Sequence, residues 1–132
     1  MNSIFDQIVP KNTFTPPKVV VQSLERVYGK MLNVEWTEEE GFYEAVFYFK
    51  DIEYIAQFDA SGELQVSKSN LPLHMITPPI AQRALEVGEL MNLIEITQQG
   101  KVFYEIIARD KYLDRYYLLL EEDGTLLEKQ KL

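Results

Sequence analysis

From Leu32 onward, apolar side chains fall at every second position. Leu32, Val34 and Trp36 alternate with Asn33 and Glu35, a half-buried strand by its period. After the polar turn Thr37-Glu38-Glu39-Glu40-Gly41, residues Phe42 to Lys50 continue the pattern with aromatic and β-branched side chains. Tyr43, Ala45, Phe47 and Phe49 share one face, and Glu44, Val46, Tyr48 and Lys50 share the other. A tight connection at Lys50-Asp51 leads to a third strand, in which Ile52, Tyr54, Ala56 and Phe58 alternate with Glu53, Ile55 and Gln57. The turn Asp59-Ala60-Ser61-Gly62 follows, then a short fourth strand pointing Leu64 and Val66 inward, then a connector from Ser67 to Ile76. Upstream the period is that of a helix: Val20, Leu24, Val27 and Tyr28 form one stripe between Thr15-Pro16-Pro17, with Thr15 as N-cap candidate, and Gly29.

The same programme then starts again. Thr77-Pro78-Pro79 repeats Thr15-Pro16-Pro17, and Ile80, Ala84 and Val87 make a second amphipathic stripe ended by Gly88. Ile94-Glu95-Ile96-Thr97 answers Val34-Glu35-Trp36-Thr37, and Phe103-Tyr104-Glu105 answers Phe42-Tyr43-Glu44. A strand over Tyr112 to Glu121 and the turn Glu122-Asp123-Gly124 complete the match. The predicted fold is therefore α+β, a tandem repeat of a helix plus a four-stranded antiparallel sheet with the helices packed on one face of the sheet. Residues 1–14 form an N-terminal arm, 15–70 the first repeat and 71–132 the second, together one compact domain. Neither half, at roughly 60 residues, buries much surface alone. One apolar and one mixed face on every strand favours a continuous sheet.

Charge narrows the choice of partners. Thirteen basic against 21 acidic residues leave a net charge of −8, so a phosphate backbone or an anionic membrane surface is repelled on average. The reading is no nucleic acid and no membrane insertion. The absence of cysteine removes disulfides, thiolate nucleophiles and Cys-based metal sites. Met1 to Asn12 has no basic n-region and no unbroken apolar run, so the expected location is the cytoplasm as the chain stands, or the periplasm if a leader has been removed.

Candidate chemistry is sparse. Glu44 and Glu105, in matching places, could form an acid–base pair, but no His, Cys or Asp cluster accompanies them, and a solvated carboxylate on an open sheet face is the simpler reading. His74 stands alone in a Pro-flanked connector. Glu38-Glu39-Glu40 and Glu121-Glu122-Asp123 lack the alternating ligand spacing of a calcium loop and read as hairpin tips. Trp36 reads as a core aromatic under the first helix, with an exposed binding anchor as the alternative. The reading is not an enzyme, with no cofactor and no metal.

The order of these short motifs, a Pro-led helix closing near Gly, a strand ending Val34-Glu35-Trp36, the two Tyr-Glu strands and the Phe58-Asp59-Ala60-Ser61-Gly62 closure, resembles the PepSY-like, β-lactamase-inhibitor-like proteins. The resemblance spans roughly residues 15 to 130. It implies helices packed on an antiparallel sheet, a bacterial protein, commonly exported, and a binding or inhibitory role at the open sheet face. It implies no catalytic residues.

Alternation independently points to that face. It places Val46, Tyr48, Ile55, Phe103, Ile107, Tyr117 and Leu119 beside Glu44, Lys50, Glu53, Glu105, Arg109 and Arg115, away from the helices. Apolar groups framed by charges make a protein-binding surface. The expected function is a non-enzymatic binding module for an unidentified protein partner. Two alternatives stay open: a small-molecule carrier with a pocket lined by Tyr43, Tyr54, Tyr104 and Tyr116, and a structural homodimer.

Overall fold

The computed structural model describes residues 14–132. The arm expected over residues 1–14 lies, apart from Phe14, outside the described residues. Helix α1 (Lys18–Tyr28) leads into strands β1 (Glu35–Glu39), β2 (Phe42–Phe49), β3 (Ile52–Phe58) and β4 (Leu64–Asn70). A 3₁₀ turn (Leu73–Met75) and helix α2 (Pro78–Val87) precede β5 (Glu89–Gln98), β6 (Lys101–Arg109), β7 (Arg115–Glu121) and β8 (Leu126–Lys131).

These strands form one eight-stranded sheet in the order of the chain, every neighbouring pair antiparallel. This corrects the expectation of a helix plus a four-stranded sheet occurring twice. The molecule is a single antiparallel sheet carrying two helices. The physical reason is the junction: Val66 to Asn70 of β4 pairs with Gln98 to Ile94 of β5. Two separate sheets would each leave a strand edge there with unpaired N–H and C=O groups, and joining them satisfies both rows. The segment Ser67–Asn70, expected as connector, is consequently strand.

Both helices cover the same face. Under α1, Val20 and Leu24 pack on Ala45, Phe47, Ala56 and Phe58. Under α2, Ile80 and Ala84 pack on Leu93, Tyr104, Ile106, Leu118 and Leu120. Between the two clusters the helix side of β4 and β5 is polar, with Ser69 opposite Glu95 and Ser67 opposite Thr97. The sheet is thus continuous while its core is split into two hydrophobic clusters.

The turns follow the sequence closely. Glu40-Gly41, Lys50-Asp51 and Gln99-Gly100 have positive φ at both residues, the handedness that matches the twist of two-residue hairpins. In the longer turn after β3, Asp59 Oδ1 accepts hydrogen bonds from the Ser61 N–H at 2.9 Å and the Glu63 N–H at 3.0 Å. The Ser61 hydroxyl donates to the same oxygen at 2.6 Å, and it first, then the backbone bonds, holds the Asp59 carboxyl below its usual range.

Several local expectations are displaced. Thr15 does not cap α1, whose N-cap position is Pro17. Val27 turns outward at 52% exposure, while Tyr28 closes the end of α1 by meeting the Phe47 ring edge-on at 4.8 Å. Leu32 precedes β1 and is 97% exposed. Tyr112 and Leu113 belong to the turn before β7, which starts at Arg115.

Candidate functional site

The face opposite the helices is built by strict alternation, so register decides which side chains meet there. One row across the sheet runs Val46, Ile55, Lys68, Ile96, Phe103, Glu121, each residue opposite the next. The adjacent row runs Tyr48, Glu53, Asn70, Ile94, Glu105, Leu119, Glu128. Ile107 stands opposite Tyr117, and Arg109 opposite Arg115. Glu44 stands opposite Gln57.

All of the outward residues expected from alternation therefore lie on this side, but in two groups. Glu44, Val46, Tyr48 and Ile55 belong to β2 and β3, while Phe103, Glu105, Ile107, Arg109, Arg115, Tyr117 and Leu119 belong to β6 and β7. Strands β4 and β5 separate them. Glu44 and Glu105 are four strand steps apart, about 19 Å at the usual spacing, and cannot act on one substrate atom.

The separating strands contribute Val66, Lys68, Ile94 and Ile96, which sequence reasoning missed on this face. Val66 was expected inward beside Leu64; a bulge at Gln57/Phe58 lets Phe58 meet Leu64 and Gln57 meet Val66, and puts Val66 outward. Ile96 was matched to Trp36. Trp36 pairs with Ala45 on the helix side, and the residue so placed in the second half is Leu93, opposite Ile106. The β5–β6 hairpin is longer than β1–β2, and the resulting three-residue offset turns Ile96 to the other face. Ile96 is 7% exposed although neither α1 nor α2 lies on its face of the sheet. Counting back from the Gln99-Gly100 turn, rather than forward from the helix, would have found it.

Polar contacts concentrate in the second group. The Tyr117 hydroxyl donates to Glu105 Oε2 at 2.5 Å, and Lys68 Nζ lies 4.0 Å from Glu105 Oε1. Arg109 donates to Glu89 Oε1 at 2.7 Å. On the helix side, the Tyr104 hydroxyl donates to Glu95 Oε2 at 2.8 Å. Burial, then the bond to Glu105, raises the Tyr117 hydroxyl above its ordinary range; burial, then the bond to Glu95, pushes Tyr104 up to about 12. A tyrosine whose folded value exceeds its unfolded value of about 10 lends stability that is complete below that pH and drains away as pH rises through the folded value. The urea midpoint is accordingly expected to fall between pH 10 and about 12, less steeply in Tyr104→Phe than in the parent chain.

Of the tyrosines proposed to line a carrier pocket, Tyr43 stacks on Phe14 at 6.0 Å, Tyr104 belongs to the core cluster under α2 and Tyr116 packs against that cluster. Tyr54 stacks on Phe47 at 5.7 Å and meets Tyr28 at 5.6 Å and Phe49 at 6.0 Å, filling the space beneath α1. Trp36 lies half-buried on the helix side, 6.1 Å from Phe58. His74 is exposed in the 3₁₀ turn. Among the described residues no cluster of three His, Asp or Glu groups could hold a metal ion, and no helix is long and apolar enough to cross a membrane.

No protein-family model matches the chain, and no curated protein matches it. Among solved structures, it is similar to a DUF2874 family protein from Bacteroides ovatus, with a TM-score of 0.76 and 20% identity over 89% of both chains. A BLIP-like protein from Bacteroides fragilis superposes with a TM-score of 0.75 and 14% identity over 92% of this chain and 89% of that one. A Bacteroides eggerthii protein, described provisionally as periplasmic, gives 0.75 and 17% over 89% and 90%. At such identities the likeness establishes the fold alone, a BLIP-like one. It supports no PepSY assignment.

Proposed function

We propose that the chain is a non-enzymatic protein-binding module, inhibitor-like in action, which engages its partner through the sheet face opposite the helices. The observation that carries this reading is the composition of that face. Across eight strands it presents Val46, Tyr48, Ile55, Phe103 and Leu119 among charged side chains, with no helix packed on it among the described residues. An amphipathic surface with an exposed aromatic anchor suits a protein partner, and Tyr48 is 67% exposed. Glu44 and Glu105, the pair in matching places, are too far apart for acid–base work on one substrate. The BLIP-like neighbour adds a fold-level analogy, and the Bacteroides eggerthii neighbour favours a periplasmic setting over a cytoplasmic one.

Capture of a partner by the immobilised chain, followed by variant binding, tests this. Tyr48→Ala combined with Arg115→Ala is expected to weaken the captured interaction at least tenfold. Leu85→Ala, on the outer side of α2 and 77% exposed, is expected to leave it unchanged. Equal binding by both variants rejects the open face as the site.

A further inference from the structure

We infer that the partner docks over the β1–β4 half of the open face and that it presents an extended, positively charged segment. The inference rests on the protein-binding reading and adds the place and the partner's chemistry. Three depressions adjoin there. One of about 530 Å³ is lined by Glu35, Val46, Tyr48 and Glu53 with the chain before β1. One of about 290 Å³ lies over Glu44, Ile55, Gln57, Val66 and Lys68, and one of about 380 Å³ over Thr37, Phe42, Glu44 and Gln57 with the β1–β2 turn. The last two share Glu44 and Gln57, and the first joins them where Val46 stands opposite Ile55. Together they make a groove along β2 from Phe42 to Tyr48, about 20 Å at the rise of a strand, the length of a six-residue extended segment.

The groove has an apolar floor and unmatched acidic walls. Among the described residues, none of Glu35, Glu44 and Glu53 makes an ion pair. Among the described residues the one cation lining the three depressions is Lys68, and its Nζ lies 4.0 Å from Glu105, outside them. The other half of the face holds matched charges as well: Arg109 binds Glu89, and Glu105 takes both the Tyr117 hydroxyl and Lys68, while Arg115, Glu121 and Glu128 make no ion pair among the described residues. Carboxylates held around an apolar strip without counter-charges attract a partner that brings them. An extended segment with Lys or Arg at alternate positions and aliphatic residues between meets both walls and floor. A second copy of this chain would bring the same carboxylates face to face, and its net charge of −8 opposes that approach.

The probe is acetyl-(Arg-Val)₃-amide, with acetyl-(Glu-Val)₃-amide as control, titrated into ¹⁵N-labelled protein. The Arg peptide is expected to move the amides of Val46, Tyr48, Glu53 and Ile55, with binding lost in high salt, while the Glu peptide leaves them still. Neutralising the walls (Glu35→Gln, Glu44→Gln, Glu53→Gln together) is expected to weaken the Arg peptide at least tenfold while the urea midpoint holds or rises, since mutual repulsion is relieved. Equal binding of the two peptides, shifts confined to β6 and β7, or concentration-dependent self-association through the same amides each overturns the inference. The captured partner separates this from the parent reading. If Tyr48→Ala with Arg115→Ala releases it and the triple Gln variant does not, the open face stands and the cationic segment falls. If neither variant releases it, the open face falls too.

Discussion

Replacing Phe47 with alanine is expected to lower the unfolding free energy by about 3–5 kcal/mol, a large share of the roughly 5–15 kcal/mol that holds a domain together. Phe47 is 2% exposed at the centre of the α1 cluster. Its ring meets Tyr28 edge-on at 4.8 Å and stacks on Tyr54 at 5.7 Å, so its loss removes two aromatic contacts along with its own burial. The space left behind cannot close easily. Ala45 and Ala56, buried in the same cluster, are too short to reach into it, and Val20 and Leu24 are fixed by the helix above. Phe47→Leu fills most of the volume and is expected to recover part of the loss. Urea unfolding followed by the fluorescence of Trp36, which packs on this cluster, measures both variants. A Phe47→Ala cost under about 1 kcal/mol, the ordinary effect of a surface change, would remove this ring from the foundation of the fold.

The two-residue period announces each strand because a half-buried sheet needs it, and the turns are legible because Gly41, Gly62, Gly100 and Gly124 stand where φ turns positive. The outward placement of Glu44, Tyr48 and Ile55, or of Glu105 and Tyr117, follows from that period alone. What alternation leaves open is how strands are ordered and how far they slide. Two four-stranded sheets and one eight-stranded sheet obey the same hydrophobic pattern, and only the pairing of Val66–Asn70 with Ile94–Gln98 distinguishes them. Polar side chains on the helix side of that seam, Ser67, Ser69 and Glu95, disguised it as a connector. A single bulge and a longer hairpin then reversed the faces of Val66 and Ile96. The contact of Lys68 with Glu105 was hidden for the same reason: β4 comes within reach of β6 only once β5 lies between them.

Gly88→Ala is expected to cost more than about 3 kcal/mol, the upper end for overpacking, whereas Gly29→Ala, at the matching end of α1, is expected to cost about 1–3 kcal/mol from backbone strain alone. Each glycine closes its helix with a backbone N–H bond, Gly29 to the Glu25 carbonyl at 2.8 Å and Gly88 to the Ala84 carbonyl at 2.9 Å. Their surroundings differ. A Cβ on Gly29 meets open space, so only its φ of 87° is strained. A Cβ on Gly88 meets the carbonyl oxygen of Arg109, with the Arg109 carbonyl carbon and Asp110 Cα each at 3.1 Å. Those atoms cannot retreat, because Arg109 is paired with Glu89 on one side and Arg115 on the other. The helix passes into β5 with no intervening loop, so relief requires moving either α2 off Leu93 and Ile106 or β5 off β6. The second route also opens the Glu89–Arg109 contact on the open face. Gly88→Ala is therefore expected to shift the amides of Glu89 and Arg109 as well as the urea midpoint, while Gly29→Ala moves the midpoint less and leaves those amides in place. Equal costs at the two sites would mean that the helix-to-strand junction at Gly88 relaxes without disturbing the sheet.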